Sequence, residues 1–476
     1  MRRELKPLLV SSAIALALLA GSAQAATITI VNADGPDEGF NDPTPVAPLN
    51  SNPGTTLGQQ RLAVFQQAAE QWAALLVSDV EIQVRAAFNP LTCSGTSAVL
   101  GSAGARTVHR NFPNAPLPDT WYSQALANSL AGEDLDPVTE DINTQFNTDI
   151  DSGTCLTGTV GWYYGLDPEL DPPPANQTPL LPVVFHELAH GLGFQTFTSN
   201  SSGAFFNGFP DIWTNFLADA PSGTTWRAMA SNAERAASAL SDPNLVWTGP
   251  NVTADKELFL GPTPSLIVTS PSSIAGTTAA QPATFGPAVT DPGVSGEVAA
   301  AEPALACDPI TNPTALAGKI ALVDRGVCNF SVKVANAQAA GATAVIVANN
   351  AATGLPGMGG EDPTITIPSY GILQSVGQAI RAELANGPVQ VTLGFGASLA
   401  GTNRGFVRMH APAVLAPGSS VSHFSVDASP NLLMEPSLNR DIFSEVDLSI
   451  PLFRDIGWRD NGAPGVRVFE DGFETD

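Results

Sequence analysis

Basic residues are scarce in this chain. Its 476 residues include 20 Lys and Arg against 45 Asp and Glu, which gives a formal net charge of −25. A surface of this sign repels nucleic acid and anionic lipid, so we expect neither as a partner. Histidine is rarer still, with five residues in the whole chain. Gly and Pro number 43 and 40, which indicates a loop-rich fold but stays below the level typical of disorder.

Long apolar runs are also missing after the N-terminus. No later segment has about twenty consecutive apolar residues, so no membrane span is expected in the mature chain. The first residues combine a basic start, the apolar run Leu8–Ala20 and a small-x-small sequence at Ala23–Ala25. This order is typical of a secretory signal peptide. The sequence therefore predicts a signal peptide over residues 1–25 and a secreted, extracellular protein.

Cysteine is limited to four residues, and no CxxC pair occurs among them. A zinc site built from cysteine is therefore not expected. Four cysteines in an exported chain indicate two disulfides, and four residues allow three pairings. Their spacing favours the local pairs Cys93–Cys155 and Cys307–Cys328.

Two of the five histidines stand in the sequence HELAH, His186–His190, inside an apolar, helix-like segment that meets a glycine stop at Gly193. In a helix, residues four apart lie on one face, so both imidazoles can reach a single zinc ion. Glu187 is then placed as the general base that takes a proton from a zinc-activated water. The pattern is the HExxH motif of zinc peptidases. The alternative is a helix with two structural histidines.

Zinc also needs a third protein ligand, with a fourth position left for water. In the longer pattern HExxHxxGxxH this ligand follows the glycine by three residues. Here Gly193 is present, but Thr196 stands where the third histidine would be. The ligand must come from elsewhere, and the candidates are the other histidines and two downstream carboxylates: His109, His410, His423, Asp211 and Glu234.

Two segments near the C-terminus resemble the leishmanolysin family of metzincin peptidases. They are SHFSVDASPNLLMEP, Ser422–Pro436, and VDLSIPLFRDIGW, Val446–Trp458. In that family a long insertion separates the HExxHxxG helix from the third histidine, which precedes a Met-turn. The resemblance implies that His423 is the third zinc ligand and that Met434 is the Met-turn residue beneath the metal. It covers roughly residues 57–250 and 405–460.

The segment between these two parts resembles the protease-associated (PA) domain. The resemblance is carried by LAGKIALVDRGVCNFSVKVANAQAAGATAVIVANN, Leu316–Asn350, and by the IPSYGI stretch that starts at Ile367. Such a domain acts in other enzymes as a lid or substrate-selecting module without chemistry of its own. The sequence is therefore divided as follows: signal peptide 1–25, first catalytic part 26–254, PA insertion 255–403, second catalytic part 404–460 with the third ligand, and acidic tail 461–476.

Local patterns give further expectations. Thr56 and Gln59 form a predicted capping box for a helix that runs to about residue 77. Residues 158–165 are predicted to form an edge strand that pairs with extended substrate, and a helix is predicted over 212–240. The acidic stretch Asp34–Asp42 is a candidate calcium site, although its spacing is not that of a known calcium loop and a solvated loop is the alternative.

Together these patterns predict an α+β fold, a two-subdomain zinc peptidase of metzincin type with an inserted, β-rich α/β PA domain. The predicted function is zinc-dependent endopeptidase activity on protein or peptide substrates, with Glu187 as the base. One alternative is a non-catalytic peptide-binding protein that uses the PA domain on a zincin scaffold. Another is a zinc hydrolase of non-peptide substrates. The sequence leaves the oligomeric state, the natural substrate and the bond preference open.

Overall fold

The computed structural model describes residues 25–153, 155–440, 442–443 and 446–461. Almost all of the predicted signal peptide and of the acidic tail therefore lies outside the described residues. Within the described ranges, no helix is both long enough and apolar enough to cross a membrane.

Helices and strands are mixed along the described chain, as the predicted α+β class requires. The α-helices are α1 Leu57–Leu75, α2 Gln124–Ala131, α3 Leu180–Leu192, α4 Asn232–Ser238, α5 Pro250–Phe259, α6 Pro313–Leu316, α7 Phe330–Ala339, α8 Gln374–Leu384 and α9 Ser449–Ile456. The first of these confirms the predicted N-terminal helix. Thr56 caps α1 by accepting a hydrogen bond from the Gln59 amide at 3.3 Å. The Gln59 side chain accepts in return from the amide of Thr55, one residue before the expected donor.

The strands of the described residues form three larger sheets and three short pairs. In chain order they are β1 Ile28–Asn32, β2 Leu76–Val77, β3 Ile82–Asn89, β4 Gly101–Ala105, β5 Val108–His109, β6 Tyr122–Ser123, β7 Ile142–Asn147, β8 Trp162–Tyr163, β9 Thr178–Pro179, β10 Leu217–Asp219, β11 Thr224–Thr225, β12 Leu245–Trp247, β13 Pro262–Ser270, β14 Gly276–Ala279, β15 Gln281–Pro282, β16 Val294–Ala300, β17 Ile320–Asp324, β18 Ala344–Ala348, β19 Ser369–Ile372, β20 Gln390–Leu399, β21 Thr402–Asn403, β22 Phe406–Arg408 and β23 Arg459–Asp460.

A four-stranded sheet supports helix α3. Its strand order is β1-β3-β7-β4, with β1, β3 and β7 parallel and β4 antiparallel at the edge. Helices α1 and α3 pack against this sheet and against each other. The approach of α3 is close, because a Cβ atom added at Gly191 would lie 2.3 Å from Ile142 Cγ2. Any larger residue at this position would push the helix away from the sheet.

Aromatic side chains join the N-terminal and C-terminal parts of the chain in one hydrophobic core. Trp72 of α1 stacks on Phe185 of α3 at 4.5 Å and meets Phe453 of α9 edge to face at 5.2 Å. The Trp72 indole also donates to the Phe185 carbonyl at 2.9 Å. All three side chains are fully buried. The burial of these three rings against one another ties α3 to the helices α1 and α9.

A five-stranded sheet connects the residues before and after the insertion. Its order is β11-β10-β12-β22-β21, and the strands β12 and β22 pair antiparallel with Trp247 opposite Val407. More than 150 residues separate these partners in the sequence. The inserted segment therefore leaves the first core and returns to it at neighbouring strands.

The insertion has its own sheet of eight strands, in the order β14-β13-β20-β16-β17-β18-β19-β15. Strands β16 to β19 run parallel, as in the predicted α/β unit, and the β13–β20 pair is antiparallel. Two apolar clusters cover the two faces of this sheet, built from residues 266–395. The first core ends at Leu260 and resumes at Leu399. The predicted domain limits, 255 and 403, remain predictions.

Each of the two parts carries one disulfide. Cys93 is joined to Cys155, and Cys307 is joined to Cys328. The structure therefore confirms the local pairing that the spacing of the four cysteines predicts.

Two local predictions were wrong. Residues 158–165 contain only the two-residue strand β8, because Gly158 and Gly161 adopt φ values of +94° and +137°, which lie outside the strand region. The predicted helix over 212–240 is broken into a 3₁₀ turn at Trp213–Asn215, the strands β10 and β11, and the short helix α4. Gly223, with φ +68°, makes the turn between these two strands.

Candidate metal centre

Helix α3 presents two imidazoles on one face. It ends at Leu192, where Gly193 takes φ +123° and its amide caps the carbonyls of Ala189 and His190. His186 and His190 are four residues apart, and their Nε2 atoms lie 3.2 Å from each other. The predicted helical placement of the HELAH motif is what the structure shows.

The third imidazole comes from a loop after β22. The backbone of His423 pairs with that of His410, because the His410 amide donates to the His423 carbonyl at 2.9 Å. This pairing brings the His423 side chain over α3, where its Nε2 lies 3.2 Å from the Nε2 atoms of both His186 and His190. Residues separated by 233 positions thus share one site.

The hydrogen bonds of the three rings define their tautomer. Each Nδ1 lies 2.8 Å from a backbone carbonyl, and the partners are Leu433 for His186, Phe194 for His190 and Ser419 for His423. A carbonyl only accepts, so each Nδ1 carries the proton. Burial lowers the pKa of His186 to about 4 and of His190 to about 3, and it holds the pKa of His423 well below 6.5. All three rings are therefore neutral, with bare Nε2 atoms.

Three bare nitrogens that face one another at 3.2 Å repel unless a cation lies among them. A point at about 2.0–2.1 Å from each, the usual Zn–N distance, would see the three atoms at angles of about 100–106°, close to tetrahedral. All three histidines also line a surface groove, from which water could reach a metal ion held by them. These three histidines are also the sole group of potential metal ligands among the described residues. The donor set therefore fits zinc.

Glu187 lies beside the three imidazoles and faces the edge strand β4. Its side chain is partly buried, and this burial raises its pKa to about 8, opposed by a hydrogen bond from the backbone amide of Ala103. In an antiparallel strand the amide and carbonyl of one residue face the same side. The Ala103 carbonyl must therefore also face the groove, where an extended ligand can pair with it. The edge strand at the site is β4 and not the predicted segment 158–165.

A groove of about 780 Å³ runs past the three histidines. It is lined by Ser97–Ala103, which include the start of edge strand β4, by the loop 417–423, and by residues 432–439 and 442. No Lys or Arg occurs among the described residues that line this groove. Its described carboxylates are Glu187 and Glu435, and the latter accepts hydrogen bonds from the Leu432 amide and the Asn439 side chain.

The turn at residues 432–435 supports the site from the C-terminal part. Met434 is fully buried, and its carbonyl accepts a hydrogen bond from the Phe424 amide at 2.8 Å. The preceding carbonyl, of Leu433, holds the His186 ring. At the other end of α3, the Trp458 indole donates to the Leu192 carbonyl at 2.9 Å. The turn and the chain after α9 are thus fastened to α3.

The other candidate ligands lie elsewhere. Asp211 is 1% exposed and its carboxylate is bound by backbone amides and threonine hydroxyls. Glu234 caps the start of α4 through Ser231 and the Ala230 amide. His109 contacts Thr107, and the His410 ring is not part of the metal group.

The structure gives no support for a calcium site at Asp34–Asp42. The Asp34 carboxylate is occupied by the backbone amides of Phe40 and Phe88, both at 2.8 Å. Asp42 faces Arg61 at 3.5 Å and accepts from the Thr44 amide. No group of metal ligands occurs in this stretch, whose residues are all described. The loop is held by its own hydrogen bonds.

Sequence reasoning missed two features of the site, the edge strand β4 and the hydrogen bonds that bind Asp211 to the segment after α3. The β4 sequence GSAGA has no β-branched or aromatic residue, so it lacks the usual strand signal. It becomes a strand because β7 offers it a ladder of partners from Ile142 to Phe146. No local signal marks Asp211.

The family model described as "PA domain" matches residues 294–380. These residues are a PA domain. The prediction of an inserted PA domain is therefore confirmed. The matched part runs from β16 into α8, and the strands β13, β14, β15 and β20 of the same sheet lie outside it.

Curated relatives match over short stretches. Vacuolar-sorting receptor 5 of Arabidopsis thaliana is 43% identical over 76 residues, which are 14% of this chain and 12% of the receptor. Leucine aminopeptidase 2 of Trichophyton rubrum is 40% identical over 82 residues, 17% of this chain and 16% of that protein. The chain thus spans less than a fifth of the length of these relatives.

Solved structures match over about a third of the chain. A zinc aminopeptidase from Bacillus subtilis is 24% identical, covers 31% of this chain and 36% of its own, and has a TM-score of 0.21. A subtilisin-like protease from Pseudoalteromonas sp. AS-11 is 22% identical, with a TM-score of 0.20 over 29% of this chain and 34% of its own. Scores this low carry no conclusion for the whole chain. None of these comparisons supports the predicted metzincin architecture, which stays a prediction.

Proposed function

We propose that this protein is a zinc metalloendopeptidase. The observation that carries the proposal is the convergence of three neutral imidazoles, His186, His190 and His423, with their bare Nε2 atoms 3.2 Å apart. Structural histidines in a core have no reason to point three unprotonated nitrogens at one another. Three histidine ligands with an open fourth position are typical of catalytic rather than structural zinc sites.

The residues around this centre suit peptide hydrolysis. A zinc ion bound there would supply Lewis-acid activation of water and of the scissile carbonyl. Glu187, between two ligands in the sequence and next to β4, would take the proton of the attacking water and pass it to the leaving nitrogen. The Ala103 carbonyl at the edge of β4 would pair with the substrate backbone and hold it extended.

Cleavage of a substrate at an internal peptide bond fits the groove better than removal of its terminal residues. An enzyme that recognises a free α-carboxylate needs a cation, and none lines the described part of the groove. Recognition of a free α-amine needs an available carboxylate. Glu435 is bound to the Leu432 amide and Asn439, and Glu187 is assigned to the reaction.

A metzincin-like architecture of the leishmanolysin type remains our proposal for the catalytic part. It is supported by the antiparallel edge strand β4 beside α3, by the ligand His423 beyond an insertion, and by the buried Met434 next to the carbonyl that holds His186. Secretion is likewise proposed, from the N-terminal sequence and from two disulfides, which form and persist in oxidising compartments.

The proposal is tested with Glu187→Gln, which keeps the shape of the side chain and its capacity to accept from Ala103. We expect bound zinc to equal that of the parent and hydrolysis of casein to fall by at least about 100-fold, because a general base contributes about 10²–10⁴-fold. Glu234→Gln, far from the groove, is the matched control and should retain full activity. Full activity in Glu187→Gln, or casein hydrolysis that survives a chelator, would contradict the proposal.

A peptide blocked at both termini distinguishes the endopeptidase from an aminopeptidase. We expect the parent to cleave it at an internal bond, identified by mass spectrometry. Cleavage restricted to peptides with a free amino terminus would assign aminopeptidase activity instead. A protein that binds such peptides with bound zinc but never cleaves them would favour the peptide-binding alternative.

A further inference from the structure

In this chain the position of the third histidine of HExxHxxGxxH is held by a residue with another role. Thr196 occupies it, and the Thr196 hydroxyl donates to Asp211 Oδ2 at 2.8 Å. Asp211 is 1% exposed and also accepts from the amides of Phe197 and Thr198 at 2.7 and 2.9 Å. Its other oxygen accepts from the Thr214 amide at 2.9 Å. We call these five residues the Asp211 cluster.

The Asp211 cluster holds the segment that follows helix α3. The two residues just before it contact His190: the Phe194 carbonyl holds the imidazole Nδ1 at 2.8 Å, and the Gln195 side chain donates to the His190 carbonyl at 2.9 Å. A buried carboxyl group with several hydrogen bonds is a rigid anchor. The segment is therefore fixed with respect to the two ligands of α3.

The same segment is also bound to the loop that carries His423. The Thr196 amide donates to Ser422 Oγ at 3.2 Å, and the Asn200 side chain donates to the Ser420 carbonyl at 2.9 Å. Within this loop the Ser419 carbonyl orients the His423 ring. Hydrogen bonds thus link Asp211 through Thr196 to Ser422, which directly precedes His423 in the chain.

We propose that Asp211 and Thr196 are positioning residues that hold the His423 loop in register with α3 and so set the affinity of the metal site. This inference rests on the proposed zinc site. His423 arrives after a long insertion, so its place beside His186 and His190 must be fixed by contacts on the other side of that insertion. Thr196 provides such a contact through its backbone amide, while Asp211 fixes Thr196 through its side chain.

The test measures zinc binding rather than activity. Apo-protein of Thr196→Val and of Ser422→Ala is titrated with zinc in competition with a chromophoric chelator. We expect each variant to bind zinc about 10-fold more weakly, at the lower end of the loss typical for groups that orient ligands. Because both variants break one chain of contacts, the double variant should lose little more than either single one.

Thr198→Val is the matched control. It removes a hydrogen bond to the same oxygen of Asp211, at 3.2 Å, but among the described residues Thr198 hydrogen-bonds to Thr196 and Asp211 and not to the loop 419–423. Its zinc affinity should stay within about twofold of the parent. The visible spectrum of cobalt-substituted Thr196→Val should also change, since His423 is displaced, whereas that of Thr198→Val should match the parent. Thermal unfolding of each apo-protein verifies that the variants are folded.

The outcomes separate this inference from the proposed function. A parent that binds no zinc would overturn both. If Thr196→Val and Ser422→Ala bind zinc as tightly as the parent and have the same cobalt spectrum, only the positioning role is overturned. Equal losses in Thr196→Val and Thr198→Val would also overturn it, because the effect would then be a general loosening of the fold.

Discussion

The insertion and the metal centre differ in how their residues are distributed along the sequence. The eight-stranded sheet of the insertion is built from one continuous segment, β13 to β20. The metal centre combines α3 with a loop on the far side of that segment. A continuous unit keeps its whole pattern in one stretch, and the PA family model matches it at residues 294–380. A discontinuous site leaves only short motifs in the sequence, so it is recognised from the geometry of the folded chain.

The largest expected effect lies in the discontinuous part. His423→Ala removes one of three ligands, so zinc affinity should fall by at least about 100-fold, beyond the loss typical for groups that merely orient ligands. Equilibrium dialysis or competition with a chelator measures this. His410→Ala is the matched control, because its ring is not in the metal group although its backbone pairs with that of His423. Equal zinc affinity in His423→Ala and the parent would place the third ligand elsewhere.

The next effect belongs to the insertion. Ile346 is fully buried in the central strand β18, with Leu322 and Tyr370 as its neighbours across the sheet. Ile346→Ala should destabilise this unit by about 2–5 kcal/mol through lost burial and a cavity. Denaturant unfolding followed by circular dichroism measures the loss, and zinc affinity at low temperature should equal that of the parent. A variant with weakened zinc binding would show that the two parts are energetically coupled.

The same contrast explains what the sequence could predict. The elements β17, α7 and β18 all lie within Leu316–Asn350, the segment from which the PA domain was predicted, because a buried parallel strand and an amphipathic helix have strong local patterns. The HELAH helix and both disulfides were also predicted. The strand β4, the break of 212–240 and the Asp211 cluster were not, since each is determined by partners distant in the sequence.

A smaller effect is expected from a buried acid in the first part. Burial raises the pKa of Asp141 to about 6, opposed by hydrogen bonds from the Gln83 amide and the Asn128 side chain. A carboxyl whose folded pKa lies above its unfolded value of about 3.9 binds more protons when folded, so stability falls as pH rises from about 4 to 6. The loss amounts to at most about 3 kcal/mol above pH 6.

Asp141→Asn should remove this component of the pH dependence. We expect the melting temperature of the parent to decline relative to that of the variant between pH 4 and pH 6.5, measured by calorimetry. Asp34→Asn is a useful comparison, since Asp34 is also partly buried and has a raised pKa but lies in the loop before α1. Parallel curves for parent and Asp141→Asn would show that this carboxyl titrates normally in the folded protein.

The smallest effect on the metal site should come from the largest change in the chain. Pro262 and Leu399 are neighbours across the β13–β20 ladder, so the ends of the insertion are only a strand spacing apart. Replacement of residues 263–398 by a short glycine-rich turn should therefore leave β12 and β22 paired and the three imidazoles in place. We expect zinc affinity and cleavage of a short blocked peptide within about threefold of the parent, because the described residues of the insertion contribute none of the groove lining. Loss of casein cleavage alone would assign the PA domain to selection of large substrates, whereas loss of zinc would show that the insertion helps to assemble the site.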